Sequence, residues 1–388
     1  MEVVAYQPRH SGELLRFLHA QSPTNLQKGE PSFFEWRFAE NPLGSSLDNH
    51  YYLAVENNRI IGQLGAIRDR IYALGQWWDC CWLVDLILAP EHRGPHSEAA
   101  LGLFNAVMEK CPLILVAGAG PKLSPFYAAM HCDYREAGAT YFSIRHPAAM
   151  VALTRDPENS RTLFDTLMPI AGTAMSALQA SHRVWQKYSG SSFEFKPLET
   201  FGDETDDLIE RVLPSLGVTS YRSADYLNWK FKSRPVGTHF VIAARRKGYS
   251  RIAGYIAVKI MERLPHGRWA EIVDYLADPA DPKLFEGLLD HAVSRAMDFH
   301  IEFLRLCCSL VPHCNLLHAP FWIRHSPTLM DGTFFKTNNS ELANCLAKEP
   351  WHLTSLVSDR TDYGADEFEV AERFFDPLPA ALPRNFVR

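Results

Sequence analysis

A short turn in the first third of the chain combines residue types that can bind an anion. It consists of Arg93, Gly94, Pro95, His96 and Ser97, and it connects an apolar, strand-like stretch to a stretch with helical spacing. The first N–H groups of a helix lack partners within the helix and lie at the positive end of its dipole, so a turn at this position can hold a phosphate. Glycine also lets the backbone approach such an anion closely. This turn is the first candidate binding site.

A single carboxylate interrupts the apolar strand that leads into the turn. Asp85 lies between Val84 and Leu86, and strand alternation predicts that its side chain points to the face opposite both. A carboxylate on a buried strand is costly unless it is paired or lies at a solvated site. Asp85 is therefore a candidate either for chemistry or for architecture.

The composition limits the classes of function that the chain can have. The chain has 388 residues, 47% of them apolar and 22% charged, as in a globular protein with about two or three cores. Its net charge of −6 does not indicate binding to nucleic acid or to an anionic membrane. We find neither an apolar run long enough to span a bilayer nor a secretory signal. We therefore expect a cytoplasmic protein with no membrane or nucleic-acid partner.

The eight cysteines do not form the patterns of a metal site. None belongs to a CxxC pair, which favours reduced core thiols. Cys307, Cys308, His313 and Cys314 are close in sequence, but adjacent strand residues point to opposite faces and do not converge on one ion. We expect no metal. The sequence also contains no GxSxG nucleophile turn and no glycine-rich nucleotide loop.

The chain repeats the order of its segments at long range. In each half, a Trp-basic-Phe motif is followed by two apolar strands, a Val-Asp strand ended by proline, a helical stretch and another apolar strand. The matching positions are Trp36 and Trp229, Gly62 and Gly254, Asp85 and Asp274, and Pro90 and Pro279. A shared order over five elements indicates two copies of one unit.

The fold class predicted from this repeat is α/β, with a mixed sheet in each copy. The early strands are joined as antiparallel hairpins, whereas the Val-Asp strand, its helix and the next strand form a right-handed parallel crossover. Each of the two tandem domains is expected to have a mixed central sheet, a βαβ crossover and flanking helices. The expected units are 1–150, a helical linker at 151–200, 201–345, and a C-terminal tail at 346–388 that wraps over the surface or frays.

The order of elements and the turn after the fourth strand resemble the GNAT acyltransferase family, over roughly residues 1–150 and 200–340. In that family the turn has the form Arg/Gln-x-x-Gly-x-Gly/Ala, and its amides hold the pyrophosphate of coenzyme A. Arg93 fits this motif, whereas His96 and Glu98 replace small residues. The resemblance implies an acyl-coenzyme A cosubstrate, acetyl-coenzyme A by default, held by Arg93, Gly94, His96 and Ser97. The open alternative is a turn that no longer binds, where Glu98 only stabilises the helix start.

The resemblance also implies that the strand before the turn contacts the cosubstrate. In the family the fourth and fifth strands separate, here near Gly118 and Gly120, and the pantetheine arm lies in the gap. Leu86, Ile87 and Leu88 would supply the backbone groups that pair with this arm. One N–H of the same edge would stabilise the oxyanion of the reaction.

Two side chains match family positions that handle protons. Tyr127 corresponds to a tyrosine that protonates the leaving thiolate, and a phenol with a pKa of about 10 suits that task. The alternative for Tyr127 is a packed aromatic ring. Asp85 corresponds to a carboxylate that accepts a proton from the acceptor amine, but Asp274 repeats it in the second copy. We therefore favour a structural or substrate-orienting role for Asp85 over that of a general base.

The second copy departs from the family at the anion-binding turn. Asp278 and Asp281 should repel a pyrophosphate, and Pro279 and Pro282 lack donor N–H groups. We expect this copy not to bind coenzyme A, and instead to wall a substrate cleft or to stabilise the first copy. The paired tryptophan motifs are interpreted as packed helix ends rather than as a stacking site for a sugar.

The function implied by the resemblance is acyl transfer from a thioester to a primary amine by direct attack. The acceptor would be an amino sugar, an amino acid or another small amine. The first alternative is a non-catalytic scaffold or binding protein with a GNAT-like fold. The second is a tandem GNAT transferase with another donor, such as aminoacyl-tRNA or a carrier-protein thioester.

Overall fold

The computed structural model describes residues 1–21, 30–44, 51–94, 96–119, 123–136, 138–144, 192–234, 237–263, 267–317, 322–324 and 332–357. The strands within these ranges are β1 Glu2–Ala5, β2 Tyr51–Glu56, β3 Arg59–Ala73, β4 Gln76–Leu88, β5 Leu113–Ala117, β6 Asp133–Glu136, β7 Ala139–Ile144, β8 Phe193–Pro197, β9 Val218–Ser220, β10 Thr238–Arg246, β11 Ile252–Arg263, β12 Gly267–Ala277, β13 Phe303–Cys308, β14 Ile323–Arg324, β15 Gly332–Thr337 and β16 Trp351–His352.

The helices lie mainly between and beside these strands. They are α1 Ser11–Gln21, α2 Pro31–Phe34, α3 Glu98–Met108, α4 Ser124–Ala129, α5 Asp203–Val212, α6 Ala224–Phe231, α7 Pro282–Met297, α8 Val311–Cys314 and α9 Ser340–Lys348. A π-helical turn, Glu35–Ala39, continues α2, and short 3₁₀ turns occur at Pro8–His10, Pro90–His92, Leu213–Ser215 and Ser355–Val357.

The described strands form two mixed sheets. The first has the order β1-β2-β3-β4-β5-β15-β6, with β9 beside β3 and β16 beside β9, and the second has the order β14-β7-β13-β12-β11-β10-β8. In each sheet the early strands are antiparallel. A crossover helix joins two parallel neighbours, α3 between β4 and β5 and α7 between β12 and β13, and β16 also pairs with β9 in parallel. The predicted fold class, a mixed sheet with a βαβ crossover in each copy, is confirmed.

The repeated glycines occupy equivalent places in the two sheets. Gly62 pairs with Leu88 at the end of β4, and Gly254 pairs with Ala277 at the end of β12. A Cβ added to Gly62 would lie 2.6 Å from Leu88 Cδ2, and one added to Gly254 would lie 2.8 Å from a backbone oxygen. Close approach of β11 to β12 therefore requires glycine at position 254, whereas a side chain at position 62 would displace that of Leu88.

Each sheet contains strands from both halves of the chain. β15, from the second half, lies between β5 and β6 of the first sheet. β7, from the first half, lies between β13 and β14 of the second sheet. The units expected at 1–150 and 201–345 remain a prediction, but the sheets built from them are not closed within either range. A local sequence pattern does not reveal such an exchange, because the pattern of either strand would fit beside the same apolar neighbouring strand.

The segments expected to be a linker and a tail contain ordered structure where they are described. Most of the helical linker at 151–200 lies outside the described residues, and its last part forms the edge strand β8 rather than a helix, with the alternating sequence Phe-Glu-Phe-Lys. At the start of the tail, residues 351–356 are buried rather than wrapped over the surface. Trp351 pairs with Val218 on β9 and fills a gap in the core, so this part is anchored.

The core between the two copies is centred on the paired tryptophans. The rings of Trp36 and Trp229 stack with centroids 5.3 Å apart. Trp36 Nε1 donates to the Trp229 carbonyl at 3.0 Å, and Trp229 Nε1 donates to the Trp36 carbonyl at 2.8 Å. The two rings are 1% and 4% exposed, so the structure supports packing rather than stacking on a sugar. The motif that marks the repeat in the sequence therefore joins the two copies.

Candidate active site

In the first sheet a gap opens beside β4, at the place where the resemblance locates a thioester arm. β4 and β5 pair only at Cys81 with Ile114 and at Trp82 with Leu115. Beyond these positions β4 runs on to Leu88 paired with β3, while β5 runs on paired with β15. The facing edges of β4 and β5 are therefore not bonded to each other in this part. Such separated edges can pair with the amides of an extended ligand.

The predicted binding residues line one side of this gap. Leu86 and Ile87 are half-buried, and Leu88 is buried at the end of the strand. The backbone of Ile87 pairs with Gln63 of β3, and that of Leu88 pairs with Gly62, so β3 holds this part of β4 in place. The structure thus brings the three residues to the gap, although their contact with a cosubstrate remains a prediction.

The turn at the end of the gap starts α3 with a capping serine. Ser97 Oγ accepts a hydrogen bond from the Ala100 amide at 3.1 Å, and Ser97 is the N-cap of the helix. The Glu98 and Ala99 amides lie in the first turn, where no carbonyl one turn earlier can accept from them. Gly94 has a φ of +145°, a conformation that other residues rarely adopt. These features suit an anion at the helix start.

The two residues that depart from the family motif do not fill the turn. The side chains of His96 and Glu98 are both exposed. Glu98 lies in the first turn of α3, where a carboxylate also favours the helix dipole. The substitutions therefore change the charge near the helix start without closing it.

Arg93 braces the end of β4. Its Nε donates to the Leu88 carbonyl at 2.8 Å, and its Nη2 donates to Gln21 Oε1 at 2.7 Å. Gln21 is the last residue of α1, so the guanidinium connects the strand end to that helix. The arginine of the motif therefore supports the wall of the gap, in addition to any charge it offers to an anion.

Asp85 lies at a bulge in β4. Gly65 pairs with Val84 and Gln63 pairs with Ile87, so two residues of β4, Asp85 and Leu86, lie opposite one residue of β3. Asp85 has a φ of +53°, in the left-handed region. This conformation breaks the alternation along β4, because Val84 and Asp85 both face the side of α2 while Leu86 faces the side of α3. The expectation that Asp85 points away from Val84 is therefore wrong.

A buried arginine holds the Asp85 carboxylate. Arg37 Nη1 lies 2.5 Å from Asp85 Oδ2, and the two side chains are 1% and 7% exposed. A cavity of about 10 Å³ adjoins the pair, with Tyr51 and Gln63 among its lining residues, and it has room for about one water. The cavity is too small for an acceptor amine, which favours the structural role of Asp85 over that of a general base.

The polar groups around this cavity are themselves paired. The Tyr51 hydroxyl donates to Gln63 Oε1. Burial raises the pKa of Tyr51 well above its ordinary value, and the negative charge of Asp85 raises it further. Tyr51 therefore stays protonated and acts as a hydrogen-bond donor in this site.

Tyr127 lies in an aromatic cluster on the other face of the sheet. It is 2% exposed, and its ring centroid lies 5.3 Å from that of Phe126, 5.7 Å from that of Phe334 and 6.4 Å from that of Phe104. The larger apolar cluster that includes these rings also packs against Leu86. The packing role of Tyr127 is evident, whereas its role as a proton donor remains a prediction.

In the second copy, the carboxylate of an aspartate lies at the start of the crossover helix. Asp281 is the N-cap of α7, and its carboxylate accepts from the Leu284 amide at 3.3 Å. The other carboxylate oxygen of Asp281 lies 2.6 Å from Arg246 Nη2. Pro282 follows at the first helical position and has no N–H. This geometry disfavours a phosphate and supports the prediction that this copy does not bind coenzyme A.

A segment of the chain also bridges the corresponding gap in the second sheet. β12 and β13 pair from Ala270 to Ile272 and then separate. Across the opening, the Leu353 amide donates to Ser309 Oγ at 2.9 Å, and Thr354 Oγ1 donates to Asp274 Oδ1 at 2.7 Å. Residues 353 and 354 therefore connect the two strands where the first copy has open edges.

Asp274, the repeat of Asp85, belongs to a closed network. It is 0% exposed and pairs with Arg222 at 2.9 Å, while the Tyr255 hydroxyl donates to it at 2.6 Å. Burial lowers the pKa of Arg222, but Asp274 raises it, and the net change is upward. Burial and Asp274 both raise the pKa of Tyr255. Asp274 is thus structural, since all these partners lie in the core.

Neither a metal cluster nor a spanning helix is present in the parts of the chain that the structure describes. No group of three or more metal-binding side chains occurs there. No helix there is long and apolar enough to cross a membrane. All eight cysteines are free, and six of the eight are buried or lie in strands, in agreement with reduced core thiols.

Sequence reasoning identified the gap, the turn and Asp85, but it missed the residues that hold Asp85. Arg37 belongs to the Trp-basic-Phe motif, so its position was known while its partner was not. The only available signal was a basic residue inside an otherwise apolar motif. Arg222 and Thr354, which hold Asp274, have no sequence pattern that predicts their role.

Comparison with solved structures supports this description of the fold. A GCN5-related N-acetyltransferase from Anabaena variabilis superposes with a TM-score of 0.55 at 13% identity, over 87% of this chain and 73% of that one. Saccharomyces cerevisiae N-myristoyltransferase with bound myristoyl-CoA and inhibitors gives 0.52 at 13%, over 86% and 79%. A probable N-acyltransferase from Enterococcus faecalis gives 0.51 at 13%, over 87% and 72%.

The likeness extends over most of the chain, including both copies. No protein-family model matches the sequence, and no curated protein matches it. At such low identity the likeness shows the fold, and the chain has the GNAT fold that the resemblance implied.

Proposed function

We propose that this GNAT-fold chain is an acyl-coenzyme-A-dependent N-acyltransferase whose site lies in its first copy. The proposal is carried by one contrast between the copies. In the first, β4 and β5 separate next to a helix start whose first-turn amides have no acceptor within the helix, whereas in the second a chain segment bridges the gap and Asp281 caps the helix. A thioester with a diphosphate fits the first arrangement and not the second.

The turn and the strand edge would bind different parts of the cosubstrate. The amides near Ser97 and Glu98 would bind the diphosphate, with Arg93 at the edge of the turn. The backbone of Leu86 and Ile87 would pair with the pantetheine arm and place the thioester carbonyl near a free N–H. Acetyl-coenzyme A is the default donor, and the acceptor is a primary amine of an amino sugar, an amino acid or another small molecule.

The proposed reaction is direct attack of the amine on the thioester carbon. The amine nitrogen forms a bond to that carbon and the C–S bond breaks. The nitrogen releases its proton to solvent water, while the thiolate gains a proton from a donor that solvent then reprotonates. Tyr127 would supply the proton to sulfur. Asp85 would not accept the proton of the amine, because Arg37 binds its carboxylate and the adjoining cavity holds about one water.

Ligand-dependent melting of the full chain tests the binding part of the proposal. A ligand that binds only the folded state stabilises it by about 3 kcal/mol at a hundred times its Kd, which raises the melting temperature by several degrees. We expect acetyl-coenzyme A or a longer acyl-coenzyme A to produce such a rise. The absence of a shift with any acyl-coenzyme A at millimolar concentration would overturn the proposal.

Two variants locate the binding site. Gly94→Ala places a side chain at a φ of +145°, and its Cβ would meet no atom within 4 Å, so only the backbone of the turn is affected. Arg93→Ala removes the hydrogen bond from the arginine side chain to the Leu88 carbonyl. Both should reduce or abolish the ligand-induced shift. Arg251→Ala, at an exposed arginine of the second copy, is the matched control and should retain it.

Release of the free thiol in the presence of a panel of amines tests catalysis. Thiol release that depends on both the amine and the acyl-coenzyme A supports the enzyme. A protein that binds acyl-coenzyme A without turnover of any amine would support the scaffold alternative. A protein that binds none would leave the scaffold or another donor, aminoacyl-tRNA or a carrier-protein thioester.

A further inference from the structure

The bulge in β4 contains a strained residue. Asp85 has a φ of +53°, and residues with a Cβ adopt this region only at a cost in energy. The strain is confined to the first copy: Asp274, the repeat of Asp85, is not among the described residues with positive φ. Something in the first copy must therefore hold Asp85 in this conformation.

The ion pair with Arg37 is a contact that can do so. Arg37 Nη1 lies 2.5 Å from Asp85 Oδ2, and both side chains are almost fully buried. A buried carboxylate without this partner would be strongly disfavoured, so the pair draws the Asp85 side chain toward α2. The left-handed conformation is the one that allows this direction, because strand alternation would point the side chain to the other face.

The second copy holds Arg37 in place. Arg37 follows Trp36 in the π-helical turn, and the Trp36 ring and carbonyl are both fixed by Trp229. The guanidinium also lies over the Phe38 ring, 5.5 Å from its centroid. The place of Arg37 is thus determined by both copies.

The bulge lies at the beginning of the gap. β4 pairs with β5 through Trp82, and Asp85 and Leu86 follow where the two strands have separated. The bulge turns Leu86 to the α3 side and sets the direction of the backbone N–H groups at the gap. An error in that direction would misplace the thioester carbonyl.

We propose that Arg37 is a positioning residue: through its ion pair with Asp85 it holds the β4 bulge in the conformation that aligns the backbone with the thioester. Asp85 acts through its backbone conformation rather than as a base. This inference rests on the proposed function, and it gives the second copy a role, because Trp229 helps to fix Arg37.

Two double variants separate this role from the alternatives. Arg37→Met combined with Asp85→Gly, and Arg37→Met combined with Asp85→Ala, remove the same two charges and the same ion pair. They differ in that glycine adopts a φ of +53° without strain, whereas alanine does not. Both variants remove the charges of Arg37 and Asp85 together, so neither leaves one of these two charges buried without the other.

We expect the glycine double variant to retain kcat within about threefold of the wild type, and the alanine double variant to lose about a hundredfold, since small displacements of reacting groups have effects of that size. The KM for acyl-coenzyme A should change little in either, because the diphosphate turn is intact. Arg70→Met, at an exposed Arg–Asp pair on the same β3–β4 hairpin, is the control and should match the wild type.

The remaining outcomes contradict the proposal. An equally large loss of activity in both double variants would overturn the positioning role, and the absence of the acidic limb from the pH–rate profile of their residual activity would make Asp85 a general base. Equal activity in the two double variants would show that the ion pair between Arg37 and Asp85 contributes to stability but not to positioning.

A second readout does not depend on activity. Amide hydrogen exchange at residues 84–88 should be close to wild type in the glycine double variant and faster in the alanine one. Equal exchange in the two would overturn the positioning role even if no substrate is found. The failure of the proposed function is a different result: the wild type itself would neither bind nor turn over any acyl-coenzyme A.

Discussion

At the scale of single residues, the two members of a repeated position have acquired different surroundings. Asp85 and Asp274 are both buried near the separation of two strands, and both pair with arginine. Asp85 lies beside the open gap, whereas Asp274 also binds Tyr255 and Thr354 and is closed off. Equivalent carboxylates therefore need not have equivalent roles, since their partners come from different parts of the chain.

Tyr127 provides a test of proton donation. Tyr127→Phe keeps the ring that packs against Phe126 and Phe334 and removes only the hydroxyl. If the phenol protonates the thiolate, kcat should fall by about a hundredfold or more with KM nearly unchanged. Steady-state kinetics with acetyl-coenzyme A and the best amine measures this. An unchanged kcat would reduce Tyr127 to a packing role.

His313 makes the stability of the second copy depend on pH. It is 0% exposed and stacks on Phe285, and burial lowers its pKa to about 4. The unfolded chain takes up this proton near pH 6.5, so stability is complete above that pH and is lost as the pH falls to about 4. The loss from His313 is about 3 kcal/mol over this range.

The variant His313→Phe keeps an aromatic ring and should remove this part of the dependence. Urea unfolding at pH 7 and pH 4.5 measures the free energy of unfolding at each pH. The change in this free energy between the two pH values is then compared between the variant and the wild type. Asp69, whose pKa burial raises to about 7, acts with the opposite sign, but it is present in both proteins and cancels. Parallel curves for the two proteins would contradict the prediction.

At the scale of elements, the described end of the chain connects the first sheet to the second. Trp351 and His352 pair with β9, and the next three residues bond to Ser309, Asp274 and Glu271. These bonds satisfy buried carboxylates that would otherwise destabilise the core. The second copy is therefore completed by a segment that follows its last helix.

Thr354→Val tests the contribution of this segment. Valine has a similar shape but cannot donate to Asp274, which keeps Arg222 and Tyr255 as partners. We expect a loss of about 1–3 kcal/mol in the free energy of unfolding, measured by urea titration. Thr238→Val, at an exposed position on β10, should change it by less than about 0.5 kcal/mol. Equal effects of the two changes would show that the hydrogen bond contributes little.

At the scale of the whole molecule, the two copies depend on each other. β7 and β15 are exchanged between the sheets, and the tryptophan pair holds the copies together at their centre. Each sheet lacks a strand without the other half of the chain. Cooperative unfolding of the two copies follows, because neither core is complete on its own.

Trp229→Phe tests the connection between the copies. Phenylalanine retains a stacked ring but cannot donate to the Trp36 carbonyl, which should cost about 1–3 kcal/mol of stability. If Trp229 helps to fix Arg37, kcat at the first copy should fall as well. Trp78→Phe, which loses a similar bond to the Ala73 carbonyl within one hairpin, is the control and should keep kcat. A loss of stability without any loss of kcat would contradict the connection.

Local pattern in the sequence was enough to predict the repeated unit, its mixed sheet, the crossover helix and the turn after β4. These features follow from alternation, helical spacing and the residue types of turns, all of which act over short stretches of chain. The difference between the two turns was also visible, because prolines and aspartates change the local backbone donors and charge.

Other features were decided only by the tertiary structure. The partner of Asp85 is Arg37, 48 residues away, and the segment that bridges the second gap lies 80 residues beyond Asp274. The places of β7 and β15 are set by pairing with strands distant in the sequence. Contacts between distant residues are chosen by burial and charge pairing in three dimensions, and no local pattern carries that choice.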